Sequence, residues 1–171
     1  LAADKAWWGV LALSESGPQL LSSLRSRLPS SWEAAWEAVK NDDIVASTLA
    51  QCRNQTMSLY QSNIPATSRL AQLADQFNIG ETLAVAVDLP DTRSFMFVSL
   101  YRDAGRRPFT PQDKALQQML VSHLQAAWQI NLRERLRDDG QGADAPAYKA
   151  SVDRDGRLVQ CEAGFSPAVS R

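Results

Sequence analysis

The segment from Ser94 to Asp139 constrains the fold more than any other part of the sequence. Ser94 to Tyr101 mixes aromatic and branched residues with two serines and no Gly or Pro, the composition of a mostly buried strand. Asp103-Ala104-Gly105 turns the chain. Thr110-Pro111 then supplies an N-cap hydroxyl and a proline at the first helical position, with Asp113 near the positive end of the helix dipole. No breaker follows until Gly140, so the pattern predicts a helix of roughly 28 residues, about 40 Å long at 1.5 Å per residue. A mean helix is about 11–12 residues, so the second half of this one is predicted to leave the core to which the strand belongs. A strand feeding a long exit helix suits a module that passes a state to something beyond its end.

The earlier sequence predicts a small sheet with helices. Trp7 to Leu13 is a short apolar strand ended by Ser14-Glu15-Ser16-Gly17-Pro18. Pro18 is expected to open a helix striped by Leu20, Leu21, Leu24 and Leu28, stopped at Pro29-Ser30-Ser31. Ser31 is expected to cap a second helix with Trp32, Trp36 and Val39 on one side. Asp42 or Asp43 caps a third, from Ile44 to about Tyr60, carrying Val45, Leu49, Cys52, Met57 and Leu59. A fourth runs from Ser68 to Phe77, burying Leu70, Leu73, Ala74 and Phe77, with Gly80 as its stop. Thr82–Leu89 and Ser94–Arg102 form an antiparallel pair about a turn at 90–93. Residues 1–138 make the main domain, 139–147 a polar linker, and 148–171 a β-hairpin, with Asp155-Gly156 at its turn, that opens a second, truncated module.

At 171 residues the chain suits one domain with an appendage, able to bury about two-thirds of its unfolded surface. Its 44% hydrophobic and 22% charged content is that of a folded globular protein. A net charge of −1 gives no basic face for nucleic acid. Cys52 and Cys161 are too far apart in sequence for a local metal knuckle, and no secreted disulfide framework is indicated. No stretch approaches about 20 consecutive apolar residues, and Asp4 and Lys5 interrupt any signal peptide. The expected compartment is therefore the cytoplasm, with no membrane partner and no cofactor. The start at Leu1 without methionine and the end at Arg171 suggest a fragment of a longer polypeptide.

Ser99-Leu100-Tyr101-Arg102, the Pro108-Phe109-Thr110 start with Asp113, and the helix carrying Ser122-His123-Leu124 and Ala126-Ala127 carry a resemblance. Together they resemble the end of the GAF-like sensory domain found upstream of LuxR-type helix-turn-helix transcription regulators. Ala6-Trp7-Trp8-Gly9 is similar to that family's first strand. The resemblance implies an α/β (α+β) GAF/PAS-like fold: a twisted, mostly antiparallel sheet flanked by helices, with a long C-terminal exit helix. It implies a small-molecule ligand as partner, and DNA only through a helix-turn-helix domain outside this chain. It brings no catalytic signature.

The residues themselves nominate a site. Phe95, Phe97, Ser99 and Tyr101 point one way from their strand, and Met96, Val98 and Leu100 the other. In the resembling fold one face of the sheet closes over a cavity, so hydroxyls of Ser99 and Tyr101 either fix a small polar group there or bond within the protein. Trp7, Trp8, Trp32 and Trp36 suit either a packed core or a pocket wall, and both readings stand. Trp32-x-x-x-Trp36 followed by Asp42-Asp43 is similar to the Trp, Tyr and Asp set of acyl-homoserine-lactone sensors, although the aspartate comes earlier and no proline follows it. The candidate ligand-binding residues are Trp8, Trp36, Phe97, Ser99 and Tyr101.

On the long helix, Leu116, Leu120, Leu124 and Ala127 form one apolar line, and Met119, His123, Ala126 and Ile130 a second. A single sheet needs only one, so the second is the expected homodimer interface. His123 has no Cys, Asp or Glu three or four positions away, and no nucleophile motif surrounds Cys52. No Gly-rich phosphate loop, nucleophile elbow or metal spacing occurs. The expectation is a non-enzymatic sensor; a ligand-free dimerisation module is the alternative, and a small enzyme using the same pocket the third reading.

Overall fold

Lys5–Ser14 forms the first strand, β1, but its partner is not the helix that the leucine spacing predicts. Gly17–Ser26 is instead a second strand, β2, antiparallel to β1 with Trp8 opposite Leu24 and Leu11 opposite Leu20. The four leucines satisfy a helical period, yet Leu21 and Leu24 remain exposed here, so no apolar stripe existed to bury. The pairing with β1 satisfies the backbone instead, and tertiary context overrides the local pattern. Gly9 in β1 permits it: a Cβ there would lie 2.2 Å from the carbonyl oxygen of Ser22. Arg27, at φ 57°, then turns the chain and delivers Leu28 to the core.

The computed structural model describes residues 2–14, 17–89, 94–138, 150–152 and 158–161, with side chains through residue 131 apart from Leu13. After β2 come α1 (Trp32–Glu37) and α2 (Ile44–Gln51), β3 (Met57–Tyr60), α3 (Arg69–Gln76), β4 (Ile79–Asp88), β5 (Ser94–Asp103) and α4 (Pro111–Asp138). A separate antiparallel pair, β6 (Ala150–Val152) and β7 (Leu158–Cys161), follows. The linker at 139–147 and the Asp155-Gly156 turn lie outside the described residues.

Five strands make one antiparallel sheet in the order β2-β1-β5-β4-β3. This is the GAF/PAS-like α+β arrangement. The third predicted helix is cut short, because Asn54 at φ 61° reverses the chain and residues from Met57 pair with β4. Ser31 makes no capping bond; Glu33 ties α1 to β2 instead, accepting from Ser23 Oγ at 2.7 Å and Arg25 Nη1 at 2.9 Å. Gly80 does not stop α3. Asn78 at φ 51° does so, while Gly80 sits in β4, where a Cβ would meet Ala104 Cα at 2.8 Å.

The sheet separates two apolar layers. Trp7, Leu11, Phe95, Phe97 and Tyr101 pack beneath α1, α2 and α3. On the other face Val85 and Val87 meet Val121 of α4, with Met96, Val98 and Leu124 around them. Thr110 and Asp113 start α4 with reciprocal bonds, Thr110 N–H to Asp113 Oδ2 at 2.8 Å and Asp113 N–H to Thr110 Oγ1 at 3.2 Å. The Thr110 bonds hold the Asp113 carboxyl below its ordinary value. The buried side of α4 is not the leucine line. Gln117, Val121 and Leu124 face the sheet, whereas Leu116 and Leu120 are exposed.

Candidate functional site

Strand alternation builds one wall of a cavity. Trp7 pairs with Ser99 and Gly9 with Phe97 across β1 and β5, so Trp7, Leu11, Phe95, Phe97, Ser99 and Tyr101 share a face. Opposite them α1 brings Trp32 and Trp36, spaced by four on one side of the helix, and α2 brings Val45, Ala46 and Leu49. The cavity volume is about 60 Å³, and the cavity is partly open. A water needs about 10–15 Å³ of such space, so several waters or a short carbon chain fit.

The walls are aromatic and rigid. The Trp7 ring meets Phe97 edge-on at 4.7 Å, Trp36 at 5.1 Å and Trp32 at 5.6 Å. Trp32 in turn meets Phe77 at 5.0 Å and Tyr101 at 5.6 Å. Such edge-to-face pairs contribute about 0.5–1.5 kcal/mol each beyond burial, which fixes ring orientation.

Asp43 is the charged group of the site. Its Oδ1 caps α2, accepting from Val45 N at 2.8 Å and Ala46 N at 3.1 Å. Its Oδ2 accepts the Trp36 indole N–H at 2.8 Å. Burial pushes the Asp43 carboxyl above its ordinary value, and the bonds from Trp36, Ala46 and Val45 oppose that shift. The Tyr101 phenol is also pushed up, by burial first and by the Asp43 charge in addition, with Ser99 acting the other way. Asp43 and Tyr101 therefore feel each other across one space.

Two donors in these walls have no protein partner. The buried indole nitrogens of Trp7 and Trp32 are both unpaired. A buried polar group without a partner costs about 1–3 kcal/mol, and native cores hold few of them. Both nitrogens belong to rings that line the cavity, and each is itself buried. Glu81, at the edge of the same region, is already engaged, accepting Ser58 Oγ at 2.6 Å and Phe109 N–H at 2.7 Å.

Of the residues singled out from sequence, Trp36, Phe97, Ser99 and Tyr101 come together around this cavity. Trp8 does not. It lies on the opposite face, paired with Leu24 and Val98 and partly exposed, because adjacent residues of a strand point to opposite sides. Its neighbour Trp7 occupies the position expected of it. Trp32 and Asp43 also line the cavity; the first was legible from its spacing to Trp36, the second as a helix cap and as one of the Asp42-Asp43 pair that follows the two tryptophans. Met119, His123, Ala126 and Ile130 all stand exposed on α4, Met119 at 66% and Ile130 at 57%. Among the described residues no three His, Cys, Asp or Glu side chains are placed to hold a metal ion.

No family model and no curated protein sequence matches the chain. Solved structures do match its fold. The N-acylhomoserine-lactone-dependent LuxR-family transcription factor CepR2 of Burkholderia cenocepacia aligns with a TM-score of 0.58 at 16% identity, over 79% of this chain and 78% of that one. Escherichia coli SdiA aligns at 0.57 and 15% identity over 90% of this chain, which spans 61% of the SdiA chain. SdiA in complex with octanoyl-rac-glycerol aligns at 0.54 and 14%, over 90% and 59%. The third GAF domain of Slr1393 from Synechocystis, in its photoproduct state, aligns at 0.52 and 11%, over 78% and 87%. These likenesses establish that the chain has the fold shared by LuxR-family regulators and GAF domains.

Proposed function

We propose that this chain is the sensory part of a LuxR-type transcription regulator, binding a small ligand between the sheet and α1–α3. The observation that carries the proposal is the cavity itself, lined by Trp7, Trp32, Trp36, Asp43, Ser99 and Tyr101, with the buried indole N–H groups of Trp7 and Trp32 left without a protein partner. The complementary ligand has a carbonyl-type acceptor for the indoles, a donor for Asp43 and an apolar remainder. The buried Asp43 carboxylate disfavours anions. CepR2 depends on an N-acylhomoserine lactone by its name, and SdiA has been captured with octanoyl-rac-glycerol; each ligand joins an acyl chain to a carbonyl. Those likenesses support the reading.

The chain performs no chemistry in this proposal. It acts in the cytoplasm as a homodimer through Met119, His123, Ala126 and Ile130, and DNA is contacted by a helix-turn-helix part outside residues 1–171. Among the described residues no helix is long and apolar enough to cross a membrane. Binding shifts the population of two arrangements of α4.

Thermal shift against N-octanoyl-homoserine lactone, octanoyl-rac-glycerol and octanoate tests the binding step. A ligand at 100 times its Kd stabilises by about 2.7 kcal/mol. The neutral compounds are expected to raise the midpoint in the wild type and not in Trp32→Phe, with octanoate inactive. Absence of any shift across a wide panel of neutral acyl compounds would leave the ligand-free dimerisation module, which the exposed apolar line on α4 favours. Light scattering of Ala126→Glu, expected to convert dimer to folded monomer, tests the dimer.

A further inference from the structure

We infer that the loop of residues 52–56 carries the state of the cavity to α4, and that Gln118 is the contact through which α4 receives it. The inference rests on the sensory reading of the cavity. α2 belongs to both ends of this route. Its first turn is pinned inside the cavity by Asp43, and Val45, Ala46 and Leu49 form part of the wall. Its last residues lead directly into the loop, where Asn54 takes a left-handed conformation.

The loop is clamped from two sides. On the sheet side the Asn54 N–H donates to Ala86 O at 2.6 Å, Asn54 Nδ2 to Asp88 Oδ2 at 3.0 Å, and Asp88 N–H to Asn54 Oδ1 at 3.1 Å. Arg53 adds an ion pair to Asp88 at 2.8 Å. On the helix side one side-chain amide holds the loop twice. Gln118 Oε1 accepts Thr56 N–H at 2.7 Å, and Gln118 Nε2 donates to Asn54 O at 2.8 Å. Gln125, two turns further on, reaches Asn54 Oδ1 at 3.4 Å. A two-point amide bond tolerates little displacement, because moving the loop by about an ångström lengthens both arms together beyond the hydrogen-bonding range.

The alternative route runs through the sheet, whose one face lines the cavity and whose other carries α4. Leu83 to Val87 of β4 are wholly buried, paired throughout with β5 and, at Leu83 and Ala84, also with β3. That is the part of the molecule least able to move. α2 and its loop, attached to β4 at Ala86 and Asp88 and to α4 through Gln118, offer a route outside that paired core.

Hydrogen exchange of the full chain tests the inference without a known ligand, because substitutions change the cavity directly. Ala46→Leu fills it from α2, and Asp43→Asn alters the pin at the start of α2 while keeping a capping oxygen. Gln118→Leu removes the amide and preserves helix propensity. In Ala46→Leu or Asp43→Asn the amides of 54–56 and of 114–125 are expected to change exchange by a factor of about five or more relative to those of β4. Adding Gln118→Leu should keep the loop change and abolish the change in α4. The inference is overturned if α4 responds equally with Gln118→Leu present, if the loop responds and α4 does not in the parent background, or if neither cavity change moves the loop. Failure of the sensory reading shows separately, as no compound raising the melting midpoint while this coupling persists.

Discussion

Trp36→Phe is the substitution that most directly tests how the cavity is held together. It removes the indole N–H from Asp43 Oδ2, a bond of 2.8 Å between buried groups. A hydrogen bond to a charged group contributes about 1.5–3 kcal/mol. The smaller ring also loses packing against Trp7, about 1–2 kcal/mol at roughly 0.8 kcal/mol per buried methylene-sized group. The expected loss is therefore about 2.5–5 kcal/mol, to be set against the roughly 5–15 kcal/mol stability of a domain this size. Urea unfolding should show a midpoint lowered by about 1–3 M at an m-value near 2 kcal/mol per M. A double-mutant cycle with Asp43→Asn separates the bond from the packing, with a coupling of about 1.5–3 kcal/mol expected. The pH dependence has a definite sign. Burial raises the folded-state pKa of Asp43 above its ordinary 3.8, so the folded protein takes up this proton before the unfolded chain does. The group's contribution to stability is thus fully present below the ordinary 3.8 and is lost as pH rises through the folded-state pKa. Removing the Trp36 donor raises that pKa further, so the gap between wild type and variant should narrow as pH falls through the two folded-state values. A coupling under about 0.5 kcal/mol, or a gap independent of pH, would refute the reasoning.

Gly9→Ala drives a Cβ to 2.2 Å from Ser22 O and 2.9 Å from Ser23 Cα, so it should destabilise by about 1–3 kcal/mol or more; a midpoint within error of wild type would mean β2 does not pair as described. Glu81→Ala leaves Phe109 N–H without its acceptor and should cost about 2–4 kcal/mol, with faster hydrogen exchange at Phe109 and the first turn of α4. Unchanged exchange there would show that Glu81 does not anchor the start of α4. The 171-residue chain, at a net charge of −1, is expected to show no specific binding to operator DNA in gel-shift assays; nanomolar binding of a defined site would contradict the division of labour proposed for it.

The legible parts of this fold were those where a local rule and the tertiary structure agree. Thr110, Pro111 and Asp113 announce the start of α4, and no competing pattern interrupts it before Asp138. β5 alternates buried and half-buried residues as its sequence does, which places Phe97, Ser99 and Tyr101 on one face. β2 and β3 were not legible, because each is decided by its neighbour's unsatisfied backbone rather than by its own side-chain period. The adjacent tryptophans of β1 show how narrow the margin is. A shift of one residue exchanges Trp7 for Trp8 at the cavity, and only the register against β5 fixes the choice. Asp43 was legible only in part, as a cap and as one of the Asp42-Asp43 pair after Trp36, and its bond to that indole was not. Its role as a helix cap accounts for an aspartate at that position, so nothing local draws attention to the second oxygen that Trp36 occupies.

The glutamines of α4 carry this argument furthest. Sequence patterning assigns polar residues of a helix to solvent and leucines to the core, which would turn Leu116 and Leu120 toward the sheet. The helix is rotated away from that setting. Gln117 is 1% exposed, its Nε2 donating to Val98 O at 3.2 Å, and Gln118 is bonded to the loop at Asn54 and Thr56. Together with Val121 and Leu124, these amides fix the rotation, and Leu116 and Leu120 are left at the flank. The same rotation turns Met119 and Ile130 fully outward. A purely apolar seat would hold α4 more firmly but would have no geometry to lose, whereas directional amide bonds break over a small displacement. Gln117 thus fixes α4 to the sheet, while Gln118, the other residue that misleads the hydrophobic pattern, is the one through which the coupling inferred above would reach the helix.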